Sequence, residues 1–194
     1  LIAQNSHQLP EAIEYFKKAV GINPEIPQLH NSMGDIYNTN GDLGKAVASY
    51  QRSLKIFPKD PKILNNLANI LVQQGDDDEA LKCYLEATEV APEMSESHFN
   101  LANFYRLSGL GEQAEKSYLQ AISINPQFSQ AYNNLGNVYA DQNKWVRANE
   151  SFQLAVKYSP ENADACFNLG AMYEKHSDLH KAYECYQQAA RLDP

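Results

Sequence analysis

Prolines recur at a constant interval of 34 residues along this 194-residue chain. Alanines, aromatic residues and small residues keep the same interval, with no insertion from the first copy to the last. A fixed period of this length is typical of chains that stack copies of one supersecondary unit. The four columns are Pro24, Pro58, Pro92, Pro126, Pro160 and Pro194; Ala12, Ala46, Ala80, Ala114, Ala148 and Ala182; Phe16, Tyr50, Tyr84, Tyr118, Phe152 and Tyr186; and Gly34, Ala68, Ala102, Gly136 and Gly170.

Each 34-residue unit is predicted to form a helix, a turn and a second helix. Two amphipathic stretches lie between consecutive prolines, separated by a short polar break such as "TNGDLG", "QQGDDD" or "LSGLGE". Proline lacks an N–H and disfavours helical backbone at the preceding residue, so we expect the proline to end the second helix. The small column marks where the paired helices approach closely. A further column is expected to fill the space between them: Tyr37, Leu71, Tyr105, Tyr139 and Tyr173.

This pattern resembles the tetratricopeptide repeat. In the repeat containing "YNNLGNVY" the residues that match the repeat's signature are Leu135, Gly136, Tyr139, Ala148, Phe152, Ala155 and Pro160. The resemblance implies an all-α fold, a right-handed superhelical solenoid of helix-turn-helix repeats. It divides the chain into a partial repeat at 1–26 and repeats at 27–60, 61–94, 95–128, 129–162 and 163–194, in one continuous array. Both ends interrupt the pattern, so we expect the chain to be part of a longer protein.

Composition narrows the classes of partner and compartment. A net charge of −8 and a pI near 5.1 argue against a nucleic-acid partner. No apolar run approaches the roughly 18 residues that predict a membrane-spanning helix. The three cysteines, Cys83, Cys166 and Cys185, form no CxxC pair and are predicted to be reduced thiols. Reduced thiols favour a cytoplasmic or other intracellular location.

The sequence contains no familiar motif for catalysis, cofactor binding or metal binding. There is no glycine-rich phosphate loop, nucleophile elbow or HExxH helix, so we predict no catalytic, cofactor or metal site in this chain. His176 and His180 have the spacing of metal ligands on one helix, but they flank a predicted turn. The acidic run 76–79 is expected to cap the N-terminus of a helix and to add favourable charge there. His30 and His98 are expected to be packed in the core.

Asparagines recur on the first helix of each repeat. On a helix that advances 100° per residue, Asn134 and Asn137 lie opposite the core-facing residues, with Asn133 to one side. The resemblance places this face along the concave groove of the solenoid. A side-chain amide offers both an acceptor and donors, as a peptide backbone does. The predicted peptide-binding residues are Asn66, Asn100, Asn134, Asn168, Asn69, Asn103, Asn137, Asn65, Asn133, Lys62 and Arg106.

The same residues allow another interpretation. Asparagine is common in these columns across tetratricopeptide repeats, so family background on a solvated helix face is an alternative explanation for some of these asparagines. Phe99 and Phe167 are candidates for accepting ligand side chains, although packing against the neighbouring repeat is the favoured interpretation. Co-chaperone tetratricopeptide domains bind a C-terminal carboxylate with Lys, Arg and Asn at set places on the first helices. Such a clamp is disfavoured here, because the matching places hold Asn31, Asp35 and Asn66.

The predicted function is protein–protein interaction, with an extended peptide or partner segment bound in the concave groove. One alternative is the substrate-recognition arm of a larger enzyme, since the asparagine columns are similar to those of the O-linked N-acetylglucosamine transferase repeat domain. Another is a scaffold that self-assembles end to end through the last-helix face near Ala189, Ala190 and Leu192.

Overall fold

The computed structural model describes residues 8–193, with side chains from Glu11 onward. Eleven α-helices and no strands occur over this range. The helices are α1 (Gln8–Ile22), α2 (Pro27–Thr39), α3 (Leu43–Ile56), α4 (Pro61–Gln74), α5 (Asp77–Val90), α6 (Ser95–Leu107), α7 (Gly111–Ile124), α8 (Ser129–Asp141), α9 (Trp145–Tyr158), α10 (Ala163–Lys175) and α11 (Leu179–Leu192). Even-numbered helices are the first helices of the repeats and odd-numbered helices are the second ones.

The proline column ends the second helices, as the sequence predicted. Helix α3 ends two residues before Pro58, and α5 ends two residues before Pro92. Prolines also open two first helices, because Pro27 and Pro61 stand in the first turn of α2 and α4. A proline is tolerated there, since the N–H groups of a first turn have no partner within the helix.

The helices form two compact units that divide between Pro92 and Glu93. In the first unit, α2 packs on α3 and α4 on α5, while α1 contacts α2 and α3 contacts α4. In the second unit, α6, α8 and α10 pack on α7, α9 and α11 respectively. Helix α8 also contacts both α6 and α10. The three first helices of the second unit therefore lie side by side.

Aromatic rings hold the paired helices together at the small column. A Cβ atom on Gly136 would lie 2.6 Å from Cε1 of Phe152, and one on Gly34 would lie 2.5 Å from Cε1 of Tyr50. Both rings are about 1% exposed, so neither has space to move aside. The close helix approach predicted for this column is confirmed. At these two positions it leaves no room for a Cβ atom, so glycine is required.

A left-handed residue recurs at the turn between the paired helices. Positive φ angles occur at Gly41 (80°), Gly75 (84°), Gly109 (74°), Asn143 (59°) and Ser177 (62°), again 34 residues apart. This conformation ends the first helix and directs the next N–H back to it. The N–H of Asp76, for example, donates to the carbonyl of Leu71 at 2.9 Å.

Three local predictions can be compared with the structure. Asp76 stands at the N-cap of α5 but its side chain makes no capping hydrogen bond, so that part of the prediction was wrong. The three acidic residues that follow it do lie in the first turn, where the helix dipole favours them. His30 is a packed core residue, as predicted, with Nε2 at 2.8 Å from the carbonyl oxygen of Pro24. His98 is only half-buried.

The three cysteines are free thiols. Among the described residues, no helix has the length and apolar character required to span a membrane.

Candidate functional site

Asparagine side chains cluster on the three adjacent first helices of the second unit. We call this set the amide face. All five of its side chains are half-buried, which lets each contact both the protein and the solvent. The members are Asn100 and Asn103 on α6, Asn134 and Asn137 on α8, and Asn168 on α10.

Within the amide face, Asn103 is held by two donors. The hydroxyl of Tyr118 donates to Asn103 Oδ1 at 2.5 Å, and Asn134 Nδ2 donates to the same oxygen at 2.8 Å. A carbonyl oxygen has two lone pairs, so this acceptor is fully used. The Nδ2 group of Asn103 and the Oδ1 atom of Asn134 make no hydrogen bond within the described chain and stay available to a ligand. We call such an acceptor with its two donors a tyrosine–amide node.

Burial keeps the hydroxyl of the node protonated. Tyr118 is fully buried, and burial raises the pKa of its phenol, while the nearby Arg106 guanidinium acts in the opposite direction. The net shift is upward, so Tyr118 remains a hydrogen-bond donor through the physiological range.

The first unit contains the same node with a carboxylate at its centre. Asp35 Oδ1 accepts from the Tyr50 hydroxyl at 2.7 Å and from Asn66 Nδ2 at 3.4 Å. The sequence separations of 15 and 31 residues are those of the Asn103 node. Burial, followed by the hydrogen bond to Asp35, raises the pKa of Tyr50. Because a carboxylate accepts hydrogen bonds and cannot donate them, this node favours ligand groups that donate a hydrogen bond.

Asn69, one repeat later, accepts from the Tyr84 hydroxyl at 2.5 Å. Burial raises the pKa of Tyr84 to about 12, so this hydroxyl also stays a donor.

The fourth repeat lacks the node. Phe152 stands where the tyrosine would be and offers no hydroxyl to Asn137. Asn168, which occupies the position of the second donor, instead donates to Asn133 Oδ1 at 3.0 Å. Within the described chain the Asn137 side chain makes no hydrogen bond.

Two of the predicted binding asparagines lie in the interior. Asn65 and Asn133 are 5% and 8% exposed. Asn65 Nδ2 donates to the carbonyl of Pro61 at 2.7 Å, within its own helix, whereas Asn133 accepts from Asn168. These contacts give both side chains a structural role, and contact with a ligand stays a prediction for them.

The predicted basic residues differ in their surroundings. Lys62 is exposed on the first turn of α4. Arg106 is half-buried and lines a cavity of about 540 Å³ together with Glu112, Asp141 and Lys144. The lining charges balance, so this cavity has no marked preference for either sign of ligand charge.

The two candidate phenylalanines have different roles. Phe99 packs its ring 4.8 Å from that of Phe128 and 5.9 Å from that of Tyr118. Both partners belong to its own repeat, so the ring has a packing role, while the predicted contact with the neighbouring repeat stays a prediction. Phe167 is 56% exposed, although its ring lies 5.3 Å from that of Tyr186. It lines an open cavity of about 450 Å³ at the surface of α10 and α11. Phe167 is therefore accessible to an apolar ligand side chain.

The tyrosine–amide node was missed by the sequence analysis, although its signal was present. Tyr50, Tyr84 and Tyr118 follow Asp35, Asn69 and Asn103 by 15 residues each time. Comparing these two columns shows a hydroxyl donor paired with an Asx acceptor in three consecutive repeats. Across the described residues there is no group of three His, Cys, Asp or Glu side chains placed to hold a metal ion.

Comparison with protein families gives one consistent result. Profiles described as tetratricopeptide repeat match residues 25–93 and 59–127, and others of that description match 2–26, 117–148 and 163–194. A profile described as TPR repeat matches residues 136–177. All-helical repeats of this kind are typically non-catalytic. Comparison with curated protein sequences gives no significant match.

Several solved structures share the fold. PilF from Pseudomonas aeruginosa has a TM-score of 0.83 at 20% identity, covering 98% of this chain and 87% of its own. BtubC from P. vanneervenii has a TM-score of 0.79 at 21% identity, covering 99% and 91%. YrrB, described as a TPR protein with an unusual peptide-binding site, has a TM-score of 0.68 at 21% identity, covering 94% of each chain.

Proposed function

Since this chain belongs to the tetratricopeptide repeat family, we propose that it is a protein-interaction module that binds an extended polypeptide along its first helices. The observation that carries the proposal is the amide face, in which half-buried asparagines lie on three adjacent helices of the second unit. End-to-end self-association and attachment to a catalytic domain stay predictions.

The chemistry of the amide face suits a peptide backbone. Asn103 Nδ2 supplies donors and Asn134 Oδ1 supplies an acceptor, and the hydrogen bond between the two residues fixes both groups before a ligand arrives. Groups that are ordered in advance lose less conformational entropy on binding, which favours affinity. Each hydrogen bond to a peptide group contributes only about 0.5–1.5 kcal/mol, so several must form together.

The neutrality of the amide face determines how binding responds to salt. Carboxamides carry no charge, and direct hydrogen bonds to them are little affected by ionic screening. The affinity for an uncharged peptide is therefore expected to change little between low and high salt. A strongly salt-dependent affinity would instead indicate that Lys62, Arg106 or the acidic side chains dominate the contact.

The proposal is tested with a peptide selected on the wild-type chain from a random dodecapeptide display library. The peptide is labelled with a fluorophore, and its dissociation constant is measured by fluorescence anisotropy. Asn134→Ala removes the acceptor and releases Asn103, and it is expected to weaken binding about tenfold. Gln120→Ala is the matched control, because Gln120 is an exposed amide on a second helix.

Two results would contradict the proposal. The first is that no peptide can be selected. The second is that Asn134→Ala and Gln120→Ala both bind the selected peptide with wild-type affinity, which would place the contact away from the first helices.

A further inference from the structure

One column of the repeat differs between the third and fourth repeats, and the difference alters a single amide. Tyr118 donates to Asn103, whereas Phe152, in the equivalent position, has no hydroxyl to donate to Asn137. The ring is otherwise placed as in other repeats. It lies against Gly136 as the ring of Tyr50 lies against Gly34, with 2.6 and 2.5 Å from the ring to the respective Cβ position. The substitution therefore removes a donor and leaves the packing in place.

Asn137 also lacks the second donor of the node, the side-chain amide from the next repeat. Asn134 donates to Asn103 in the third repeat, but its counterpart Asn168 donates to Asn133 Oδ1 at 3.0 Å. Neither polar atom of the Asn137 side chain is among the buried unpartnered atoms of the described chain. Its oxygen and its nitrogen are consequently both uncommitted and both reach the surface.

We infer that Asn137 binds the main chain of the ligand through two hydrogen bonds, and that Phe152, which has no hydroxyl, leaves its side chain free to do so. The inference rests on the proposed function and names a residue that fixes the position of the bound segment. With its acceptor and its donors free, Asn137 can bond the N–H and the C=O of one ligand residue. Asn103 cannot bind in this way, because both lone pairs of its oxygen are occupied.

The two-bond contact defines the class of ligand. The backbone groups of an α-helix are already bonded within the helix, so only an extended segment offers an N–H and a C=O to the same amide. The ligand residue opposite Asn137 must also carry an N–H, which excludes proline at that position. The inferred ligand is an extended segment with a non-proline residue at one fixed position and little constraint on its side chain.

Substitutions at the two residues test the inference with the selected dodecapeptide. Asn137→Ala removes both bonds and is expected to weaken binding about 10- to 100-fold. Phe152→Tyr leaves Asn137 in place but adds a hydroxyl beside it. This hydroxyl is equivalent to that of Tyr118, which donates to Asn103 in the preceding repeat. This variant is expected to weaken binding several-fold while the melting temperature stays the same or rises. Combining the two changes is expected to weaken binding no further than Asn137→Ala alone, since both act on one contact.

A second measurement identifies the contact on the ligand side. Methylation of one backbone nitrogen at a time along the peptide removes one N–H without changing any side chain. One position is expected to lose affinity for the wild-type chain and to lose none for Asn137→Ala. That result is independent of any effect of the substitutions on folding, because each peptide is compared on the same folded variant.

The outcomes separate the inference from the proposed function. If the peptide is sensitive to Asn134→Ala but binds Asn137→Ala and Phe152→Tyr with wild-type affinity, the inference is wrong and the proposed function stands. If no selected peptide responds to any substitution on the first helices, both fail. If Phe152→Tyr weakens binding only in proportion to a fall in melting temperature and no N-methylated position couples to Asn137, the inference is also wrong.

Discussion

Replacing Gly34 with alanine is expected to destabilise the chain, whereas the same replacement at Gly44 is expected to stabilise it. Both glycines lie in helices of one repeat and neither has a positive φ. A Cβ at Gly34 would lie 2.5, 2.7 and 2.8 Å from three atoms of the Tyr50 ring, while one at Gly44 would meet nothing within 4 Å. Tyr50 is 1% exposed and its hydroxyl bonds Asp35, so the ring is fixed on both sides.

The magnitude follows from two opposing effects. Overpacking of a filled core costs about 1–3 kcal/mol, and alanine favours a helix over glycine by up to about 1 kcal/mol. Gly34→Ala is therefore expected to lower the free energy of unfolding by up to about 2 kcal/mol, and Gly44→Ala to raise it by up to about 1 kcal/mol. Ala68 and Ala102 occupy the Gly34 column in other repeats, so the cost expected for a methyl group at Gly34 comes from the Tyr50 ring and not from the repeat fold itself.

The assay is urea denaturation followed by far-ultraviolet circular dichroism, with the two variants measured beside the wild-type chain. Gly34→Ala combined with Tyr50→Leu provides a further check, because a smaller side chain opposite the new methyl group relieves the clash. Equal stabilisation by Gly34→Ala and Gly44→Ala would refute the close contact between α2 and α3.

Three further predictions concern titration, reactivity and fluorescence. Burial raises the pKa of Tyr84 to about 12 in the folded chain, against about 10 when unfolded, so the protonated phenol supports the folded state fully below about pH 10 and this contribution is lost as the pH rises towards 12. The melting temperature is expected to fall over that window, and to fall less steeply in Tyr84→Phe. An equal slope in the two proteins would contradict this. Burial raises the pKa of the Cys83 thiol to about 11, so reaction with a disulfide reagent at about pH 8 is expected to be slow in the native state and fast in guanidinium; rapid native labelling of Cys83, identified by mass spectrometry, would contradict it. Lys175 Nζ lies 3.1 Å from the centroid of the Trp145 ring, and Trp145 is the only tryptophan, so Lys175→Ala is expected to expose the indole and shift its emission to longer wavelength; an unchanged spectrum would show that this cation does not cover the ring in solution.

Periodicity alone predicts most of the fold, because the columns that define the repeat each accept only a narrow class of residue. Proline ends a helix through a missing N–H, and the small column is fixed by the ring that lies against it; both effects act within one repeat. The sequence therefore predicted the roles of Pro58 and Gly136 correctly. The N-cap role predicted for Asp76 was wrong, because acidic composition identifies the first turn but not which side chain reaches a backbone N–H.

The candidate site was less predictable. Helical geometry places Asn103 and Asn137 on the same face, but it does not show which of them is already bonded. That depends on a hydroxyl from the paired helix and on an amide from the next repeat. Tyr118 and Asn134 supply these donors to Asn103, whereas Phe152 has no hydroxyl and Asn168 donates to Asn133. The burial of Asn65 and Asn133 depends in the same way on neighbouring helices, which a pattern within one helix does not describe.

The residue in the left-handed turn changes along the array from glycine to asparagine and then to serine. Gly41, Gly75 and Gly109 adopt positive φ without steric cost, Asn143 does so with a small cost, and Ser177 with a larger one of about 1–2 kcal/mol. That cost is released when the turn opens, so the helix pairs of one chain differ in the free energy of local opening. Backbone amides near the Ser177 turn are expected to exchange with deuterium sooner than those near Gly75. Repeats that share one architecture are thus expected to differ in the rate at which their helix pairs open locally.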